Sequence, residues 1–237
     1  MGYWSKLVFG LDVLPTTCFV FGGMIWDKKD LIKLLNQFDS AKKLSKFQPV
    51  LSYLVEKKNK KFLLCWGAYG SSSTMEIVKL LADGKCKNLV FIGWAYTPKN
   101  IEINSVIIPN KIRNLDRVTS FVNKAKFSYP SKRLLKAVIE KLRSRIKFAI
   151  RPCATVPYFF WQDLSKVYGK SKNYFAIDME GSIALAYSSF YRMNSLVIFI
   201  ITDSETVSLE ESNKPMYKKQ RLSVVCSLVK ALTDFLD

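Results

Sequence analysis

Three carboxylates stand at the ends of two predicted strands in the C-terminal half of the chain. Asp178 and Glu180 follow the short apolar run at 174–177, and Asp203 follows residues 195–202, a β-branched and aromatic run typical of a strand buried on both faces. Carboxylates that share a crevice raise each other's pKa, which is costly unless a ligand or a proton transfer uses them. The simpler alternative is that Asp178 or Glu180 only caps the following helix, stabilised by its positive end.

The segment between the two runs is predicted to position these acids. Residues 181–193 carry apolar side chains at helical spacing and are long enough for the crossover of a right-handed βαβ unit. Two consecutive parallel strands point their carboxyl ends the same way, and ligands bind beyond those ends in an open parallel sheet. We therefore expect Glu180 and Asp203 to share one crevice.

Glycines end the other predicted strands. The apolar strand at 18–23 closes with paired glycines, the strand that ends at Trp66 continues into a Gly/Ser loop at 67–74, and the strand at 88–92 is followed by Gly93. Strand and helix alternate, which favours mostly parallel strands. The N–H groups and hydroxyls of the Gly/Ser loop suit an anion cradle, and they suit equally an ordinary serine cap of the next helix.

An aromatic cluster, Tyr158-Phe159-Phe160-Trp161, follows the predicted strand at 147–156. Such clusters are more often packing between a loop and a sheet than a ligand platform. Combined with the peptide N–H groups and the acids, however, an aromatic wall describes a crevice that suits a polar sugar with a flat ring attached.

Composition limits the class of protein. The 237 residues suffice for one domain with a sizeable core, and no apolar stretch is long enough for a membrane helix. Five cysteines form no Cys-x-x-Cys pair and the chain has no histidine, so we predict neither a metal nor another cofactor. Mechanisms that use imidazole as a base are excluded. A reduced, cytoplasmic protein is expected.

The chain is strongly basic, with 37 Lys and Arg against 19 Asp and Glu and a formal net charge of +18. This charge suggests affinity for polyanions. The basic residues are dispersed, however, and the sequence lacks RNA-binding, zinc-finger and helix-turn-helix patterns. We therefore expect a solvated basic surface that aids capture of anionic small molecules, with no specific nucleic-acid or membrane partner.

Four segments in a fixed order resemble the nucleoside phosphorylase and nucleosidase superfamily. They are Phe21-Gly22-Gly23-Met24, the loop from Gly67 to Ser73, Gly93-Trp94-Ala95 followed by Val106-Ile107-Ile108-Pro109, and Ile177-Asp178-Met179-Glu180-Gly181 with Thr202-Asp203. The resemblance implies one α/β domain over residues 1–237, with a mixed, partly barrel-like central sheet flanked by helices. It also implies a homo-oligomer, a dimer or larger.

The resemblance assigns roles to individual residues. Glu180 would accept hydrogen bonds from the ribose hydroxyls, Met179 would pack on the sugar, and Asp203 would protonate N7 of a purine. This assignment agrees with the chemistry, because cleavage of an N-glycosidic bond passes through a cationic sugar and the departing base needs a proton. The base would be contacted by Trp94, Ala95 and one of Tyr158, Phe159 and Phe160.

Two turns depart from the pattern of the phosphorylases in this superfamily. Phosphorylases usually hold phosphate with an arginine in a Gly-Asp-x-x-Arg turn and another in an Arg-x-Gly-Thr/Ser segment, where this chain has Gly22-Gly23-Met24-Ile25-Trp26 and Phe91-Ile92-Gly93-Trp94. Dianion binding without bidentate arginine is much weakened. The first turn instead resembles that of the methylthioadenosine nucleosidases, in which Asp27 would match the water-activating glutamate. The alternative for Asp27 is a helix N-terminal charge.

The sequence thus predicts an enzyme that cleaves the N-glycosidic bond of a purine nucleoside, by hydrolysis, with Asp27, Glu180 and Asp203 as catalytic residues. Gly23, Ser71, Ser72 and Ser73 form a possible water or anion site. Two alternatives stay open: a phosphorylase whose phosphate is held by the 71–74 loop and basic groups such as Arg113, and a nucleoside-binding protein without activity.

Overall fold

A central sheet organises the part of the chain that the computed structural model describes, residues 2–23, 27–44, 50–157 and 173–236. Its strands are β1 (Thr17–Gly22), β2 (Ser40–Lys43), β3 (Leu51–Lys57), β4 (Lys60–Ala68), β5 (Asn88–Thr97), β6 (Val106–Asn114), β7 (Phe127–Ser128), β8 (Phe148–Thr155), β9 (Ile177–Asp178) and β10 (Asn194–Ser204).

Five of these strands close on themselves. The strand order is β10-β6-β8-β9-β5-β1-β4-β3-β2, and an additional pairing joins β10 to β5. Strands β1, β4, β5 and β10 run in one direction, whereas β6, β8 and β9 run in the opposite one. The predicted mixed, partly barrel-like sheet is confirmed, and β1, β4, β3 and β2 extend from the ring.

The prediction that the strands before and after residues 181–193 are parallel is wrong. β9 pairs antiparallel with β5, while β10 pairs parallel with β5. The reason is that β9 is only two residues long and takes its direction from β8, its parallel neighbour. The carboxyl ends nevertheless meet, because Tyr96 of β5 pairs with Ile177 on one side and with Asp203 on the other.

Two further local predictions are corrected. The apolar pattern of residues 7–26 favours two strands with a turn, but the first part of this segment belongs to helix α1 (Tyr3–Phe9). The sequence pattern at 102–108 favours a strand that stops at Pro109, but the observed strand β6 starts at Val106 and continues through Pro109 to Asn114, with a register shift between Pro109 and Lys111. Proline is tolerated in a strand at such an irregularity because no ladder N–H is needed there.

Helices cover both faces of the sheet. They are α1 (Tyr3–Phe9), α2 (Lys28–Leu35), α3 (Gly70–Asp83), α4 (Lys132–Leu142), α5 (Gly181–Phe190), α6 (Leu209–Ser212) and α7 (Pro215–Thr233), with a 3₁₀ turn at Thr119–Phe121. Apolar residues of α1, α3 and α5 pack on one face, and those of α2, α4 and α7 on the other. Sheet residues are therefore buried from both sides, as the continuous apolar run of β10 predicts. None of the helices described is long and apolar enough to cross a bilayer.

Candidate active site

Glu180 lies at the junction between β9 and α5 and is almost fully buried, with 2% of its surface exposed. Its Oε1 accepts a hydrogen bond of 2.6 Å from the Gly70 N–H at the start of α3. Gly70 has a positive φ of 75°, so a residue with a side chain would be strained there. Burial, together with the nearby Asp178 charge, raises the pKa of Glu180 to about 8.

Asp178 performs the capping role that the sequence left open between it and Glu180. Its carboxylate accepts hydrogen bonds from Thr155 Oγ1 at 2.6 Å and Glu180 N at 2.8 Å, and from the N–H of Gly181. Burial raises the pKa of Asp178 to about 7 despite these bonds, and the charge of Asp116 contributes. Because Asp178 satisfies the first N–H groups of α5, the Glu180 side chain does not have to cap that helix.

Asp203 lies near the end of β10 and is partly exposed. Thr202 Oγ1 donates a hydrogen bond of 2.6 Å to its Oδ1. Burial raises the pKa of Asp203, while the Thr202 hydrogen bond and the Arg221 charge act in the opposite direction. A carboxyl group with a raised pKa in this position is suited to donate a proton.

Arg221 on α7 is the charged partner of Asp203, and sequence reasoning missed it. Its guanidinium is buried, donates to Asn104 Oδ1 and to the Ser212 carbonyl at 3.1 Å each, and lies 4.9 Å from the centre of the Trp94 ring. Stacking and two directed bonds fix its orientation. A signal existed, because Arg221 precedes Val225 by four residues and so continues the buried stripe of α7.

Asp27 caps the N-terminus of α2, which is the alternative role that the sequence left open for it. Its Oδ1 accepts the Asp30 N–H at 2.8 Å, and its side chain is exposed. The same residue also lines a cavity of about 220 Å³ beside Trp94 and Arg221. The structure therefore brings Asp27 to the group around Arg221, the charged partner of Asp203.

The other predicted contact residues have varied surroundings. Trp94 faces Arg221, and its indole N–H is buried without a hydrogen-bond partner within the described ranges. Ala95 is part of the core, and Met179 packs against Val156 and Ile177. Tyr158, Phe159 and Phe160 lie outside the described residues.

Residues 70–74 of the predicted Gly/Ser loop form the first turn of α3, and the hydrogen-bonding groups of this segment mostly bond to other groups of the protein. Ser71 Oγ lies 2.7 Å from Asp116 Oδ2, Ser73 Oγ bonds to the Tyr69 backbone, and the Gly23 N–H donates to the Ala68 carbonyl. Ser72 is exposed. The Gly70 N–H is already bound to Glu180 Oε1 and is therefore not available to an anion, which the neighbouring acids also disfavour. Across the described ranges no cluster of three or more metal-ligating side chains occurs.

The sequence of the chain matches a family model over residues 19–233, and the description of that model is the phosphorylase superfamily. The chain belongs to the phosphorylase superfamily. This superfamily includes nucleoside-cleaving enzymes, and the match covers the candidate active site from β1 to α7. A search of curated protein sequences found no match.

Solved structures share the fold of this superfamily member. A purine nucleoside phosphorylase from Toxoplasma gondii in complex with immucillin-H is 17% identical, with a TM-score of 0.79 and coverage of 94% of this chain and 92% of its own. For a Vibrio fischeri uridine phosphorylase the identity is 16%, the TM-score 0.76 and the coverage 93% and 92%. A Helicobacter pylori futalosine hydrolase mutant is 15% identical, with a TM-score of 0.74 and coverage of 93% of this chain and 100% of its own. Phosphorylases and a hydrolase thus share this fold.

An apolar ring lies at the second departing turn of this phosphorylase-superfamily chain. Phe91 is a fully buried residue of β5, near the point where Gly93 of β5 pairs with Gly22 at the end of β1. A Cβ atom on Gly22 would overlap the Phe91 ring, and one on Gly93 would lie 2.6 Å from Phe91 Cε1. The absence of side chains on Gly22 and Gly93 therefore leaves the space that the Phe91 ring occupies beside these two paired residues.

Proposed function

We propose that this protein hydrolyses the N-glycosidic bond of a purine nucleoside. The observation that carries the choice of water over phosphate is the position of Phe91, whose ring covers the backbone of Gly22 and Gly93. In the register of the resemblance, Phe91 stands where phosphorylases have an arginine. A buried phenyl ring offers a phosphate dianion neither charge nor hydrogen bonds, so removing the phosphate from water at this place would be costly.

The carboxylates supply the chemistry of this proposal. Glu180 accepts hydrogen bonds from the ribose hydroxyls, and the negative charge that the Asp178 and Glu180 pair carries once it has lost one proton stabilises the cationic sugar of the transition state. Asp203, whose pKa burial raises, protonates N7 as the base departs. Arg221 stabilises the carboxylate that is left after proton transfer.

Asp27 activates the attacking water in this scheme. One of its oxygens accepts the Asp30 N–H, and the other is the acceptor that we assign to the water. Its place on the cavity that Trp94 and Arg221 also line supports this role. Asp27 is exposed and short, so we expect it to contribute less to the rate than Asp203 does.

The experiment that tests the function compares products with and without phosphate. Purified protein is incubated with inosine, adenosine and methylthioadenosine in buffers with and without 50 mM phosphate (roughly the saturating range for a phosphate site). We expect free base and free sugar, which is ribose or, from methylthioadenosine, 5-methylthioribose, at a rate that phosphate does not change. Ribose-1-phosphate would refute hydrolysis, and ligand binding without any product would indicate the non-catalytic alternative.

We further propose that the chain is a cytoplasmic homo-oligomer. Trp4 and Leu7 of α1 are about half exposed, at 51% and 52%, and line an apolar cavity of about 360 Å³ with residues of α3. Exposed apolar surface of this kind is common at subunit interfaces. All five cysteines are free thiols, which agrees with a reducing compartment. Light scattering coupled to size-exclusion chromatography gives the oligomeric state.

A further inference from the structure

Asp116 forms a buried hydrogen-bond network next to the candidate active site. Its Oδ2 lies 2.7 Å from Ser71 Oγ, 3.0 Å from Thr119 Oγ1 and 3.2 Å from the Thr119 N–H. Its Oδ1 accepts from Ser182 Oγ at 3.2 Å. Asp116 is 5% exposed, and the partners that the structure describes for it are hydroxyl and peptide groups.

The two serines in this network belong to the two helices that meet at Glu180. Ser71 is the second residue of α3 and follows Gly70, whose N–H is donated to Glu180. Ser182 is the second residue of α5 and follows Glu180 by two positions. Asp116 thereby joins the helix that carries the donor to the helix that carries the acceptor.

Ser71 adds a second link to the same place. Its Oγ lies 3.0 Å from the carbonyl oxygen of Met179, the residue before Glu180. The hydroxyl therefore lies between Asp116 and the turn that carries Glu180. Ser71 and Ser182 thus connect Asp116 to both sides of this turn.

We infer that Asp116 is a positioning residue that holds the Glu180 carboxylate in the orientation needed to bind ribose hydroxyls. This inference rests on the role of Glu180 in the proposed function. A mere cap of the 3₁₀ turn at Thr119–Phe121 would require the bond to the Thr119 N–H, and it would not require the bonds to Ser71 and Ser182. Those two bonds cross between elements, and a buried carboxylate that makes them fixes the spacing of both helices.

The test measures how strongly the protein distinguishes inosine from 2′-deoxyinosine. All proteins carry Asp203→Asn so that bound nucleoside is not cleaved, and the two dissociation constants are measured by titration calorimetry. We expect the parent to bind inosine about tenfold more tightly, which is the effect of one hydrogen bond to a charged group. Asp116→Ala and Ser71→Ala should each bring this ratio close to one.

Two variants separate positioning from a general loss of stability. Asp116→Asn should keep most of the preference, because an amide accepts a bond from Ser71 and donates one to Ser182. Ser188→Ala is the matched control, since Ser188 is a buried serine of α5 whose Oγ has no hydrogen-bond partner among the described residues. Partial unfolding weakens the binding of both nucleosides equally and leaves their ratio unchanged.

The inference is overturned if Asp116→Ala and Ser71→Ala both keep the parental ratio. It is also overturned if the parent itself binds the two nucleosides equally, because Glu180 then does not bind the ribose 2′-hydroxyl. Cleavage is a separate readout. If the protein carrying Asp203 cleaves no nucleoside while the binding ratio falls as expected, the proposed hydrolysis fails and the positioning role stands.

Discussion

Asp203→Asn provides the most direct test of the proton-donor assignment. The substitution keeps the size of the side chain, and Thr202 Oγ1 can still donate to the retained oxygen, so the fold should change little. What is lost is the proton. A positioned general acid contributes about 100- to 10 000-fold to the rate, or about 3 to 5 kcal/mol of transition-state stabilisation. We expect a loss of kcat/KM for inosine within this range.

A second substrate makes this prediction specific. 7-Methylinosine already carries a positive charge on the imidazole part of its base, so its departure needs no proton at N7. Asp203→Asn should therefore reduce kcat/KM for 7-methylinosine by less than about tenfold, while the loss for inosine stays large. The assay follows the ultraviolet absorbance change on release of each base, under identical buffer conditions.

The control is Asp12→Asn, which alters an exposed carboxylate paired with Lys6 at 3.3 Å. Surface pairs of this kind contribute little to stability, so we expect parental activity. The reasoning is refuted if Asp203→Asn lowers the rates for inosine and 7-methylinosine by the same factor. Asp203 would then act on the sugar or on the fold, and the proton would come from elsewhere.

Three further substitutions test the buried acids and the contact between Phe91 and Gly22. Burial raises the folded-state pKa of Glu180 to about 8 and that of Asp178 to about 7, so the folded protein holds protons that the unfolded chain releases above about pH 4. The unfolding free energy should therefore fall as the pH rises from about 4 to 8. In urea titrations, Glu180→Gln should make this fall smaller. An unfolding free energy that rises over the same pH interval contradicts the raised pKa values. Gly22→Ala should destabilise the protein by about 2 to 3 kcal/mol, because its methyl group overlaps Phe91, and Phe91→Leu in the same chain should recover part of the loss. Additive effects in this double-mutant cycle would show that the ring does not constrain Gly22.

The sequence predicted the elements that carry local signals. The β-branched run of β10 and the glycine at the end of β1 are found in the fold, and the order of the four segments identified the superfamily, whereas β5 was expected to end before Gly93 and continues through it to Thr97. The side chain of Glu180 is buried beside a peptide N–H, as expected of a functional carboxylate rather than a surface one. These features were accessible because strand burial and turn geometry restrict the residue types at each position.

What the sequence could not supply depends on contacts distant along the chain. The direction of β9 follows from barrel closure, and two residues hold too little pattern to predict it. Arg221 lies 18 positions beyond Asp203 on another element, and Asp116 lies 45 positions from Ser71. A lone charged residue in an apolar helix stripe or turn gives no indication of which acid or hydroxyl it will meet.

Within the part of the chain that the structure describes, β2 ends the strand order on the side away from the closed ring, and all four of its residues are exposed. An exposed edge strand presents unpaired N–H and C=O groups that can pair with a strand of another molecule, and such strands are common starting points for aggregation. Lys42 and Lys43 occupy half of it, so a second molecule that added its own β2 would bring like charges together. Part of the positive charge of this protein thus opposes pairing between the β2 edges of two molecules.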